Sequence, residues 1–203
     1  FREIEDVILG ELDFEREAAS AAEIAAHLGP GVGVPLVVPE RSSRRVLTTD
    51  YVDGIKAGDT DALDAAGVDR RALAERILDT YGRMIFRDGL YHADPHPGNL
   101  LVRPDPAQPG GFELVFLDFG AVARLTPPMR QGLAEMVAGT IRRDAARVTG
   151  ALTTMGFIPE VGATAAQATV LEFVEHVHAR VLQGLDPDAL RLGDLTLDTM
   201  LAQ

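Results

Sequence analysis

Between His92 and Gly120 the chain alternates stiff polar loops with short apolar runs. "HADPHPGN" leads into "LLV" at 100–102. "RPDPAQPGG" then leads into "ELVFL" at 113–117 and the turn "DFG". Apolar runs this short, bounded by turn residues, read as buried strands, and the proline- and glycine-rich loop between them reads as a hairpin tip. Pro95 and Pro97 forbid a regular helix through the first loop. His92 and His96 therefore cannot share a helical face as the zinc-binding H-E-x-x-H pair does. What remains is an irregular loop, stiffened by two prolines, that presents Asp94 and Asn99. Asp118 follows directly on a buried strand, and Gly120 permits a sharp turn after it. The spacing predicts that these three oxygen-bearing side chains sit at the ends of neighbouring strands.

The rest of the chain frames that arrangement. Residues 1–28 read as helical, with Ile4, Val7 and Ile8 and then Ala18, Ala22 and Ala25 at helical spacing, Gly10 as a weak point and "LGPG" at 28–31 as the stop. "VGVPLVVPE" at 32–40 and "RRVLTTDYV" at 44–52 are rich in β-branched residues and predict an antiparallel strand pair, followed by a polar connector at 53–61. Leu73, Ile77, Tyr81, Met84 and Ile85 form the apolar stripe of a helix that Gly89 is placed to end. Thr126 and Pro127 read as cap and first turn of another helix. Further helices are expected over 128–141, 143–155 and 163–183. Val170, Phe173, Val174, Val177 and Val181 line one face of the last. The order is α+β with a helical C-terminal half.

Composition bounds the function. The 203 residues are 46% hydrophobic and 25% charged, as in a globular protein with a core of its own. A net charge of −12 argues against a nucleic-acid binder, which needs a basic face. The absence of cysteine excludes disulfides and thiolate metal sites. No apolar run is long enough to cross a membrane, and the start of the chain does not read as a signal peptide. The chain begins with Phe1 and reads as a fragment of something longer. Its expected location is cytoplasmic, or peripheral to the inner face of a membrane, with any membrane attachment supplied by segments outside these residues.

Two carboxylates and an amide at strand ends are the set that phosphoryl transfer uses. One carboxylate orients or deprotonates the attacking oxygen, while an amide oxygen and the second carboxylate hold magnesium against nucleotide phosphates. The spacing matches the kinase pattern H-x-D-x-x-x-x-N followed by D-F-G. On that pattern Asp94 is catalytic, Asn99 and Asp118 are metal ligands, His96 touches phosphate or positions the loop, and His92 is structural. The competing reading is a turn-rich connector whose polar residues cap one another. Each residue alone fits that reading, and the joint pattern argues against it.

"HADPHPGNLLV" and "FLDFGAVARL", with "ELDFEREA" at 11–18 and "TTDYVDGIK" at 48–56 upstream, resemble the UbiB family of atypical kinase-like proteins over roughly residues 1–155. The resemblance implies a protein-kinase-like fold, with a partial N-terminal lobe at 1–52 and a mostly helical C-terminal lobe at 53–203. It implies ATP and Mg²⁺ as cofactors and a role in isoprenoid quinone or lipid metabolism, with a small or lipid acceptor as partner. By position, Glu11 and Asp13 match the family's E-x-D motif. Glu5 matches the glutamate that pairs with a phosphate-anchoring lysine, and the backbone of Thr49, Asp50, Tyr51, Val52 and Asp53 matches the hinge that meets adenine. Two departures from the family stand out, the anchoring lysine and the membrane-spanning helices that relatives often carry near the C-terminus, and the E-x-D pair carries a constraint of its own. Glu11 and Asp13 are about 200° apart on an ideal helix, so they meet one ligand only if the helix breaks. The sole lysine, Lys56, lies after the Glu5 helix, so the anchoring lysine is not in this chain and the fragment alone is expected to bind ATP weakly and to be inactive. The alternatives are a small-molecule phosphotransferase of the aminoglycoside or choline type, and a non-catalytic, ATP-responsive scaffold that handles lipid intermediates. "AVARLTPP" leaves little room for a peptide platform after D-F-G, which favours a small or lipid acceptor or ATP hydrolysis itself.

Overall fold

The computed structural model of the chain describes residues 13–180, 191–192 and 195–196. Helix α1 (Phe14–His27) begins at Asp13, whose side chain accepts from the Arg16 amide as an N-cap. Its buried residues are Ala21 and Ile24, while Ala22 and Ala25 are exposed. The apolar face is thus turned by about one residue from the predicted Ala18–Ala22–Ala25 stripe. Ile24, the one large apolar side chain of the helix interior, sets the phase, because burying it removes far more apolar surface from water than burying an alanine does.

The predicted strand pair at 32–40 and 44–52 is only partly realised. Strand β1 is two residues, Val32–Gly33, and Pro39–Arg41 forms a 3₁₀ turn. Beyond these, isolated bridges pair Val37 with Thr49 and Ser43 with Val46. Pro35 and Pro39 have no N–H to give a ladder, which reduces the hairpin to separate bridges. The polar connector at 53–61 contains a short strand, β2 (Ile55–Lys56), and the first residues of helix α2 (Thr60–Ala65), capped by Asp59. Helix α3 (Arg70–Gly82) continues as a π-helical turn, Arg83–Asp88. It ends at Gly89 with φ +66°, the left-handed conformation that glycine adopts without strain.

Strands β3 (Leu90–His92), β4 (Leu100–Pro104), β5 (Phe112–Phe116) and β6 (Val122–Arg124) follow. The predicted hairpin is β4–β5, antiparallel, with Leu100 opposite Phe116 and Val102 opposite Leu114. It is the centre of a four-stranded sheet ordered β1-β5-β4-β2, in which β1 runs parallel to β5. β3 pairs with β6 in a separate two-stranded sheet. Val102, Leu114, Val115 and Phe116 are buried, as their uninterrupted apolar pattern requires.

Contacts divide the chain into two units. The first comprises residues 1–81 and 90–123, and the expected lobe boundary at 52/53 falls inside it. The second comprises 82–89 and 124–203, and contains helices α4 (Pro127–Ile141), α5 (Ala145–Thr154) and α6 (Ala163–Arg180). Thr126 caps α4 as the sequence predicts. Ala145, Val148, Val170 and Val174 form this unit's core, with Met136, Leu152 and Ile158 packed on it. Phe173, predicted on the buried face of α6, is exposed, because the buried stripe runs through Val170 and Val174 and Phe173 lies about 100° away from Val174. Val181 lies outside the described residues. β7 (Arg191–Leu192) and β8 (Leu195–Thr196) form a short antiparallel pair.

Candidate active site

The candidate site lies wholly in the first unit, where the loop after β3 meets the turn after β5. Its central element is His92, which is fully buried. Nε2 lies 2.6 Å from the Asp118 carbonyl oxygen and 3.1 Å from that of Leu117, while Nδ1 accepts from the Asp94 amide at 3.3 Å. Two carbonyl acceptors on one side and an N–H donor on the other assign the ring proton to Nε2. The imidazole therefore ties the backbone that carries Asp94 to the backbone that carries Asp118. Phe116 and Phe119 hold the ring in place, with centroids 5.7 and 5.5 Å away. Two backbone bonds reinforce the junction, Leu117 N–H to the Asn99 carbonyl at 2.8 Å and Ala93 N–H to the Ala121 carbonyl at 2.7 Å.

The Asp94–Asn99 loop keeps its shape through its own contacts. Pro97–Asn99 is a 3₁₀ turn capped by His96, whose Nδ1 accepts from the Gly98 amide at 3.0 Å. Asn99 Nδ2 donates to Asp94 Oδ2 at 2.7 Å. A carboxylate can only accept, so this bond fixes the amide orientation and leaves Asn99 Oδ1 as an available oxygen ligand. Asp118 has φ +59°, in the left-handed region where Asp and Asn are enriched among non-glycine residues, and its Oδ1 accepts from the Gly120 amide at 3.2 Å. Asp94 and Asp118 are exposed, while His92, Phe116 and Phe119 beneath them are buried. Oxygen ligands of this kind suit Mg²⁺, which takes one or two carboxylates and completes its shell with phosphate and water. Among the described residues no group of three or more His, Cys, Asp or Glu is arranged to hold a metal.

Glu17, which the sequence reading passed over, also reaches the site. Its Oε1 accepts from the Phe119 amide at 3.2 Å, so helix α1 is attached to the D-F-G turn. The signal for it was the helical phase: Glu17, Ala21 and Ile24 follow i, i+4, i+7 on the inward face. Glu5 and Glu11 lie outside the described residues. Asp13 caps α1 and pairs with Arg44 at 3.4 Å. Since the helix begins after Asp13, helical phase does not limit where that carboxylate points. Of the expected hinge, Thr49 is bridged to Val37, the Asp50 amide donates to the Leu36 carbonyl, and Tyr51 is 89% exposed. Lys56 is exposed on β2.

One further group borders the site. Tyr81, on α3, packs its ring against Phe116 at 5.7 Å. Its hydroxyl is buried and has no hydrogen-bond partner. Burial, and secondarily the charge of Asp94, pushes its pKa from 10.0 up to about 12.

Comparison with known proteins shows the family. The family model for the ABC1 atypical kinase-like domain matches residues 1–152. The chain is 35% identical over 184 residues to the chloroplastic protein Activity of BC1 Complex Kinase 8 of Arabidopsis thaliana, covering 89% of this chain and 24% of that protein. It is 34% identical over 160 residues to the probable protein kinase UbiB of Xylella fastidiosa, covering 78% of this chain and 29% of that one. The chain thus spans about a quarter to a third of the length of these curated relatives. In fold it is similar to Rv3197 of Mycobacterium tuberculosis, solved in complex with erythromycin, with a TM-score of 0.52 and 24% identity over 70% of this chain and 35% of that one. The H-x-D-x-x-x-x-N loop, the D-F-G turn and the kinase-like α+β fold around them therefore have one explanation: the chain belongs to the ABC1 atypical kinase-like family.

Proposed function

We propose that the chain carries the catalytic loop and metal-binding turn of a Mg-ATP-dependent phosphotransferase or ATPase of the UbiB type, serving isoprenoid quinone or lipid metabolism. The observation that carries this reading is the 2.7 Å bond from Asn99 Nδ2 to Asp94 Oδ2, on a loop tied to Asp118 through His92. It leaves one amide oxygen and one carboxylate as metal ligands beside a second, exposed carboxylate. Asn99 Oδ1 and Asp118 would hold magnesium, which when bound offsets the charge of the triphosphate. Asp94 would take the proton from the acceptor hydroxyl or from water. His96 spends Nδ1 on its own loop and keeps Nε2 for phosphate. Glu17 has an observed contact with the D-F-G backbone, and so competes with Glu5 for the part of the helix glutamate. The short stretch from Gly120 to the start of α4 at Pro127 leaves little room for a peptide platform, which favours a small or lipid acceptor. The backbone of 49–53 remains the proposed adenine hinge.

The test uses a complete protein containing this chain. Asp118→Asn should weaken magnesium-dependent ATP binding, measured by calorimetry with and without the metal. Asp94→Asn should leave binding intact and cut turnover by roughly 10²–10⁴-fold. Unchanged metal-dependent affinity in Asp118→Asn removes the metal role. Turnover untouched by Asp94→Asn moves the reading to an ATP-responsive scaffold.

A further inference from the structure

The β4–β5 hairpin has two ends. Asn99 and Asp118 flank the Leu100–Phe116 end, while Pro104 pairs with Phe112 at the other, roughly 14 Å away along the strands. An open cavity of about 670 Å³ lies at that second end, bordered by the hairpin, the loop after α1 and helix α3. Small-molecule pockets have volumes of this order. Arg76, on α3, brings a fixed guanidinium to it. Nη1 donates to the Pro30 carbonyl at 2.9 Å, and Cζ lies 6.0 Å from the centre of the Phe112 ring. Gly31 makes room for it, with φ +73° and a position at which a Cβ would lie 2.6 Å from Nη1. A guanidinium has five N–H donors, and among the described residues Arg76 has no acceptor besides Pro30 and no carboxylate partner. The other charges at the cavity are engaged. Arg103 and Glu113 face each other across the hairpin with Nη2 2.5 Å from Oε2, and Asp105 Oδ1 accepts from the Ala107 amide at 2.9 Å. Two arginines and two carboxylates cancel, so a singly charged anion suits the cavity better than a phosphate dianion.

We propose that this cavity is a binding site for a small carboxylate with an aromatic body. The carboxylate accepts from the remaining N–H groups of Arg76, a charge-assisted contact that a guanidinium makes as a fork. The ring packs on Phe112 and on the prolines of the wall, which have no N–H to be satisfied. A lysine would serve the Pro30 bond alone, whereas a second, planar acceptor calls for the guanidinium. The site is separate from Asp94, Asn99 and Asp118 and does not depend on their chemistry.

The test titrates 4-fluorobenzoate into a complete protein containing this chain, with Mg-ATP present, and follows the probe by ¹⁹F NMR. Binding should saturate with a Kd of about 0.1–10 mM. Benzoate should displace the probe. Benzyl alcohol, which keeps the ring without the charge, and inorganic phosphate, which keeps charge without the ring, should not do so at the same concentrations. Arg76→Lys and Phe112→Leu should each weaken binding by about fivefold or more. Asp118→Asn, at the far end of the hairpin, should leave it unchanged. The proposal is overturned by the absence of saturable binding up to about 50 mM, by phosphate displacing the probe as well as benzoate does, or by parental affinity in both cavity variants. Loss of binding in Asp118→Asn also overturns it, because the probe would then sit in the candidate active site. If Arg76→Lys fails to fold, judged by thermal denaturation, Phe112→Leu decides alone.

Discussion

At the scale of single residues, most of the site's order passes through His92. Its ring nitrogens serve an amide in the loop after β3 and two carbonyls in the turn after β5, about 25 residues further on. His92→Ala deletes a fully buried ring and strands those polar groups. It should cost about 3 kcal/mol, read from urea denaturation midpoints. A loss below about 0.5 kcal/mol would mean the loop and turn hold together without the ring. Tyr81 makes a second prediction. Its folded pKa of about 12 lies above the unfolded value of 10.0, so the unfolded chain releases this proton first as pH rises. The contribution to stability is complete below pH 10 and is lost between 10 and about 12. Tyr81→Phe should therefore flatten the fall in stability across that alkaline window, measured by denaturation at a series of pH values. The sequence made Asp94, Asn99 and Asp118 legible because their spacing is shared with a known chemistry. It did not reveal Glu17 or Tyr81, whose roles depend on which helix face turns inward, and alanine-rich helices such as α1 state their phase weakly.

At the scale of elements, the packing of α4 against α5 depends on a glycine. A Cβ on Gly139 would lie 2.7 Å from Val148 Cγ2 and 3.1 Å from the Asp144 carbonyl oxygen. A Cβ on Gly150, on α5, would meet nothing within 4 Å. Helix propensity alone favours alanine at both by about 1 kcal/mol. Gly150→Ala should therefore stabilise by about that amount, and Gly139→Ala should destabilise by about 1–3 kcal/mol despite it. Thermal denaturation of the two variants reads the difference, and equal signs would mean the helices can separate at no cost. Elements followed the sequence where the pattern was long or capped, as in α3, the β4–β5 hairpin and the Thr126 start of α4. They departed from it where prolines interrupted a β-rich run, and where two residues sufficed for a strand. β2 exists because β4 offers it a partner, and no window of local sequence records that.

At the scale of the molecule, two contact units share the chain, and the candidate site draws on one of them. No helix among the described residues is long and apolar enough to cross a membrane. The only lysine is Lys56, exposed on the edge strand β2 and paired through its backbone with Leu101. An exposed lysine on a sheet edge is a common way of discouraging edge-to-edge pairing. The isolated 203-residue chain should accordingly bind Mg-ATP no more tightly than about millimolar in calorimetry. Micromolar binding by the chain alone would mean that the oxygen ligands and hinge suffice without an anchoring cation.

The backbone at Asp118, with φ +59°, sets a filter on which amino acids that position accepts. Asparagine and glycine fit the left-handed turn, whereas valine or isoleucine would strain it before any question of metal arose. A saturation series at 118 should therefore separate into two tiers: variants that fold but have lost the carboxylate, and variants that fail to form the turn. In mutational surveys of this segment, loss of function at 118 reports on ligand chemistry only for the handful of residues in the first tier.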